Sequence, residues 1–248
     1  MDLFLDKPKT KPVYLGYHGT MTPRNVAHKL QQVRRRIAIA EQEAGRPAGS
    51  VTLIAVSKTK PIDIIEEAFE EGQLEFGENY AQEAIDKATA ITGVGLKWHF
   101  IGPVQSNKTR ALAAEMAWVH TVDRPKIAFR LNEQRPDNMA PLNICVQVNI
   151  SREPSKAGLL PEDLNDFLPL FDDLTNLRVR GLMAIPAPAS TVAAQRQPFR
   201  ELRQLFERSK ANYPALDTLS MGMSADLEAA IAEGATMVRI GTDIFGPR

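Results

Sequence analysis

Strand-like and helix-like segments alternate along almost the whole chain, and that alternation limits the possible folds more than any other feature. The β-branched apolar run 51–56 lies between Gly49-Ser50 and the polar stretch from Lys58 to Pro61, and predicts a buried first strand. Further short strands are predicted at 75–78, 98–101, 118–122, 143–149, 179–185, 218–221 and 237–240. Between them lie helical patterns at 61–71, 80–89, 108–115, 124–132, 161–171, 192–211 and 225–232, after a first helix at 23–43. About eight strands separated by helices is the count of a (β/α)8 TIM barrel. An open doubly wound sheet shares the alternation, but Ser57-Lys58-Thr59-Lys60-Pro61 stands where a glycine-rich dinucleotide fingerprint would follow the first strand. The Pro-rich pieces 134–141 and 185–190 read as loops, and no linker or repeat divides the chain. The expectation is therefore one α/β barrel domain over residues 22–248.

Composition removes other classes. Lys plus Arg and Asp plus Glu each number 30, so the chain lacks the positive charge that draws proteins to nucleic acid. Arg34-Arg35-Arg36 reads as one solvated helix face. The single cysteine, Cys145, excludes an internal disulfide and a cysteine-cluster metal site. It sits in an apolar run, as a buried thiol of a reducing, cytoplasmic protein would. No apolar run approaches the roughly 20 residues that span a bilayer. Residues 1–21 read as a flexible N-terminal extension, because Thr22-Pro23 supplies an N-cap residue and an N1 proline to the first helix and Met21 precedes them as a natural start.

In barrels of this class the chemistry sits on the loops that follow the strands. Lys58 follows the first strand, and a lysine at an apolar barrel mouth loses hydration, which frees a neutral amine to attack a carbonyl. Met221-Gly222-Met223-Ser224 is a strand end, a glycine turn and an N-cap candidate. The last strand ends Arg239-Ile240-Gly241-Thr242. Loops after strands seven and eight form the usual phosphate site of this barrel, and strand alternation turns Arg239 to the same side as Gly241. An amine, a phosphate cradle and an inward arginine fit an aldehyde that carries a phosphate. Pyridoxal 5'-phosphate (PLP) and a sugar phosphate handled by a lysine-type aldolase both satisfy that description.

From about Thr22 on, the chain resembles the pyridoxal phosphate homeostasis protein family. The resemblance rests on Ala55-Val56-Ser57-Lys58-Thr59-Lys60, Phe76-Gly77-Glu78-Asn79-Tyr80, Trp98-His99-Phe100-Ile101-Gly102-Pro103, Gln105-Ser106-Asn107-Lys108, Gly181-Leu182-Met183-Ala184-Ile185, Met221-Gly222-Met223-Ser224 and the run from Arg239 to Gly246. It implies a fold-type-III barrel like the N-terminal domain of alanine racemase, without the C-terminal β-domain. It also implies PLP as cofactor, held as a Schiff base on Lys58, with phosphate contacts from Ser224, Gly241 and Thr242. By the same resemblance Arg239 faces the pyridine nitrogen, and Asn79 and Met223 line the pocket.

An arginine against the pyridine nitrogen leaves that nitrogen unprotonated and the ring a weaker electron sink. Racemisation also needs a base on each face of the amino acid, and the tyrosines, Tyr14, Tyr17, Tyr80 and Tyr213, stand away from the strand ends except Tyr80. The expectation is a PLP carrier, monomeric, supplying apo-enzymes; a weak PLP-dependent racemase is the alternative. Lys60 and Lys108 are candidates for a second PLP contact. His99 and His120 read as inner-layer residues, with His99 in reach of the pocket, and neither has a partner at metal-ligand spacing.

Overall fold

Eight parallel strands close into a ring in chain order. They are β1 (Thr52–Val56), β2 (Glu75–Glu78), β3 (Lys97–Phe100), β4 (Trp118–Val122), β5 (Leu142–Gln147), β6 (Leu177–Met183), β7 (Thr218–Ser220) and β8 (Met237–Ile240). The pairing of β1 with β8, from Thr52 opposite Met237 to Ala55 opposite Ile240, closes it. The (β/α)8 barrel expected from the alternation is the fold. The computed structural model describes residues 24–91, 93 and 95–247, so the extension 1–21 and the Thr22-Pro23 helix start lie outside the described residues.

Strand alternation sorts the core into two compartments. Ile54, Trp118, Cys145, Met183 and Met237 pack together inside the ring. Their strand neighbours Leu53, Ala55, Val119, Ile144, Val146, Leu182 and Val238 turn outward to the helices. Burial pushes the Cys145 thiol up to about 12, which leaves it a packing group. The helix α1 (Arg24–Glu43) shows how the outer layer is specified. Val26, Leu30, Val33, Ile37 and Ala40 recur at three- and four-residue spacing and are all buried. Each of the four larger side chains contributes about 1.5–3 kcal/mol by leaving water.

The remaining helices are α2 (Ile62–Glu70), α3 (Ala81–Ala90), α4 (Thr109–Glu115), α5 (Pro125–Gln134), α6 (Leu164–Phe167), α7 (Val192–Lys210), α8 (Leu227–Ala232) and α9 (Thr242–Phe245). The short α9 was not expected, and two of the expected helices differ in form. The helix predicted over 161–171 is broken into a single α-turn flanked by 3-10 segments, Pro161–Asp163 and Leu168–Phe171. Pro169 has no N–H to continue an α-helical ladder there. Downstream of Gly222 the helix begins at Leu227, not at 225. Asp226, not Ser224, holds the cap position, and its Oδ1 accepts the Met223 N–H at 2.6 Å. No helix among the described residues is long and apolar enough to cross a membrane.

Candidate functional site

A cavity of about 470 Å³ opens among the loops that follow the strands. Lys58, Asn79, Met223, Ser224, Arg239, Gly241 and Thr242 all line it, so residues up to 184 positions apart meet in one place. Val56, Ile101 and Ile185 supply apolar wall. Lys60 also lines the cavity, its Nζ donating to the Pro247 carbonyl at 2.9 Å, whereas Lys108 lies elsewhere and donates to Gln82 at 2.8 Å.

Lys58 is half-buried in a short turn closed by the Lys60 N–H on the Ser57 carbonyl at 3.0 Å. The next residue, Thr59, has φ of 63°, strained for a β-branched residue. Its N–H donates to Glu83 at 2.6 Å. Behind the turn, Lys87 of α3 is buried and donates to the Ser57 carbonyl, Glu78 and Glu83 at 2.8, 2.8 and 2.6 Å. The Ser57 hydroxyl donates to the same Glu78 oxygen at 2.6 Å. Burial raises the Glu78 carboxyl above its usual value although Lys87 and Ser57 pull it down. The strained lysine turn is thus held from outside the ring by a buried ion pair.

On the far side, two loops meet. Gly222 has φ of 95°, and a Cβ there would sit 2.6 Å from Ala230. At Gly241 a Cβ would come within 3.1 Å of the Val56 carbonyl, so glycine lets the β8 loop close on β1. Arg36 ties these loops together. It donates to the Ser224 carbonyl at 3.1 Å, to Asp243 at 2.6 Å and to Glu228 at 2.8 Å. The arginine triplet is therefore no single solvated face: Arg36 is a clamp, and Arg34 reaches the Glu71 carbonyl at 3.0 Å.

Arg239 is 3% exposed, and burial lowers its pKa to about 10, so it stays cationic at neutral pH. It donates to Ser220 Oγ at 2.8 Å and to the Ala184 carbonyl at 3.0 Å. His99 does not line the cavity. It lies inside the ring, between Glu75 and His120, at 2.5 and 2.9 Å. Burial pushes both imidazoles below their ordinary value, and His120, with His99 and Arg239 nearby, lies well below it. An unfolded histidine titrates near pH 6.5. Below that pH the unfolded chain takes up protons that the folded one refuses, so stability falls as pH drops toward the folded values. Both histidines should therefore remove stability as pH falls below about 6.5. Urea melts on either side of that pH check this, and a flat profile would mean that one imidazole is already charged.

The alanine racemase N-terminal domain model matches residues 28–248. The pyridoxal phosphate homeostasis protein of Pseudomonas aeruginosa is 54% identical over 223 residues, covering 90% of this chain and 96% of that one. That of Escherichia coli is 51% identical over 227 residues, covering 90% and 97%. This chain belongs to the pyridoxal phosphate homeostasis protein family. The structure of PipY from Synechococcus elongatus with PLP bound superposes with a TM-score of 0.78 at 38% identity, covering 89% of this chain and all of that one.

For this member of the pyridoxal phosphate homeostasis protein family, the sequence reading overlooked the supports of the site. Arg36, Glu78 and Lys87 carry ordinary helix and strand-end signals, and their partners are not deducible from local pattern. Glu75 and Ser220 did carry a signal, as did His120, which was expected in the inner layer. They are polar residues at strand positions whose side chains turn into the ring.

Proposed function

We propose that this protein binds PLP in the cavity as a Schiff base on Lys58 and holds it for supply to apo-enzymes. The observation that carries the reading is the meeting of Lys58 with Ser224, Gly241, Thr242 and Arg239 around one cavity. Support also comes from the shared name of the relatives and from the PLP bound in PipY.

The residues present suit such a group. A volume of about 470 Å³ lies within the usual range for small-ligand sites, about 300–1,000 Å³. The Asn79 side-chain oxygen is buried and has no hydrogen-bond partner among the described residues, and a bound polar ligand would satisfy it. When bound, PLP supplies an aldehyde for the lysine amine and an electron-withdrawing pyridine ring. Ser224 and Thr242 would offer hydroxyls to its phosphate, and the Gly241 backbone would approach without a side chain. Arg239 would offer donors to the pyridine nitrogen, Asn79 a polar contact and Met223 an apolar one. No carboxylate, imidazole or phenol stands among the described lining residues. The exposed Tyr80 lies outside the lining. The described lining residues thus supply no second base for racemisation, which favours holding over turnover. A monomer is part of the same proposal, and the buried thiol suits a cytoplasmic protein.

Incubation with PLP should produce a visible absorption band. Borohydride should fix the adduct, and peptide mapping should find it on Lys58. A colourless protein, or label elsewhere, overturns the proposal. L- and D-alanine should show no sustained turnover, and racemisation at enzymatic rates would favour the alternative. The double variant Ser224→Ala/Thr242→Ala should weaken PLP binding about a hundredfold, at about 1.5 kcal/mol for each lost bond to an anion. Its thermal midpoint should barely move; equal losses of affinity and stability would make these hydroxyls structural.

A further inference from the structure

A row of polar side chains crosses the inside of the barrel from the cavity to the opposite rim. Arg239 donates to Ser220 Oγ at 2.8 Å, and Ser220 Oγ lies 2.8 Å from His120 Nδ1. His120 Nε2 lies 2.9 Å from His99 Nδ1, and His99 Nε2 lies 2.5 Å from Glu75 Oε2. Glu75 opens β2, at the end of the ring away from the cavity, where Lys97 meets its other oxygen at 2.8 Å. His99, His120 and Ser220 are fully buried.

The protons in this row have one consistent arrangement. Arginine can only donate and an ionised carboxylate can only accept. Burial pulls the Glu75 carboxyl up, but the bonds from His99 and Lys97 outweigh it and hold it ionised, below its usual value. With both imidazoles neutral, His99 must carry its proton on Nε2 to meet Glu75. Its Nδ1 must then accept from His120 Nε2, and His120 Nδ1 must accept from Ser220. Every bond points away from the cavity, from a cation at one end to an anion at the other.

We propose that Glu75, His99, His120 and Ser220 are positioning residues for Arg239, a directional strut that fixes its guanidinium at the cavity. The proposal rests on PLP as the ligand for its functional meaning. The carboxylate whose charge acts on Arg239 is Asp226, in the loop after β7. The guanidinium is aimed by two neutral oxygens, Ser220 Oγ and the Ala184 carbonyl, and the row fixes the first of them.

Two measurements test this. In the protein without PLP, nitrogen-15 spectra of labelled histidine should show His99 and His120 neutral and protonated on Nε2 at pH 7. Then PLP affinity and the bound absorption band are compared in Glu75→Gln, which keeps an acceptor but removes the charge, and in Ser220→Ala. Ser220→Ala should raise the Kd about tenfold, the scale of one charge-assisted bond. Glu75→Gln should raise it several-fold, and both should shift the band. Leu112→Ala, a core truncation in α4 outside the row, should lower stability and leave Kd and spectrum unchanged. A charged imidazole, a proton on Nδ1, or wild-type Kd and spectrum in both row variants overturns the strut. Failure of the wild type to bind PLP would sink the functional reading instead, while the histidine spectra still decide the row.

Discussion

Lys58→Ala should abolish both the visible band and the borohydride-fixed adduct, with little change in fold stability. The side chain is half-buried at the cavity wall, so its truncation opens no core void. Substitutions of that kind usually change stability by about 0.5 kcal/mol or less, a degree or two in the thermal midpoint of a chain this size. The hydroxyls at 224 and 242 and the guanidinium of Arg239 remain, so noncovalent binding of PLP should persist more weakly. Lys58→Arg separates charge from nucleophilicity, because a guanidinium keeps its proton in proteins and forms no imine. It should lose the band as completely as the alanine variant does. Covalent trapping that survives in Lys58→Ala would move the linkage to Lys60, the other lysine on the lining. The turn geometry around 58 would then have no bearing on the cofactor.

The architecture was legible because two short-range periods write it. Short apolar runs alternating with helical patterns located all eight strands, β2, β4 and β8 with the same bounds and β6 two residues out of step. The stripe from Val26 to Ala40 located α1. Single-turn elements were not legible: α9 is four residues directly after Gly241, too short for any helical period to register. Site residues at strand ends were readable for a related reason, since a barrel places every such end on one rim. The supports were not. Arg36 finds its partners 188 to 207 residues downstream, and nothing near position 36 distinguishes a clamp from a solvated arginine. The inner polar row lay between these cases. Inward parity was available for Glu75, His99, His120, Ser220 and Arg239, but their connection depends on the stagger of neighbouring strands around the closed ring. Pattern along one strand does not contain that stagger.

Lys87→Met should destabilise the protein by about 3–5 kcal/mol at neutral pH, the scale for removing one partner of a buried ion pair. Methionine fills much of the lysine stem's volume, so the loss is electrostatic and not a void. Glu78 is fully buried, and one of its oxygens already has no partner among the described residues. Without Lys87 it keeps the Ser57 hydroxyl and little else, so its raised pKa should climb further. The folded variant then holds a proton on Glu78 that the unfolded chain releases above about pH 4.3. Stability associated with that proton is present at low pH and is lost as pH rises through the folded value. The gap between wild type and variant should therefore be widest at neutral pH and narrow toward pH 5. Adding Glu78→Gln removes the stranded charge and should recover most of the loss. Because Lys87 also holds the Ser57 carbonyl and Glu83, which in turn holds the Thr59 N–H, the single variant should weaken PLP binding too. Denaturant melts of both variants at two pH values decide the matter. A loss below 1 kcal/mol, or one that does not change with pH, would show that Glu78 reaches water and that the lysine turn is held by its backbone alone.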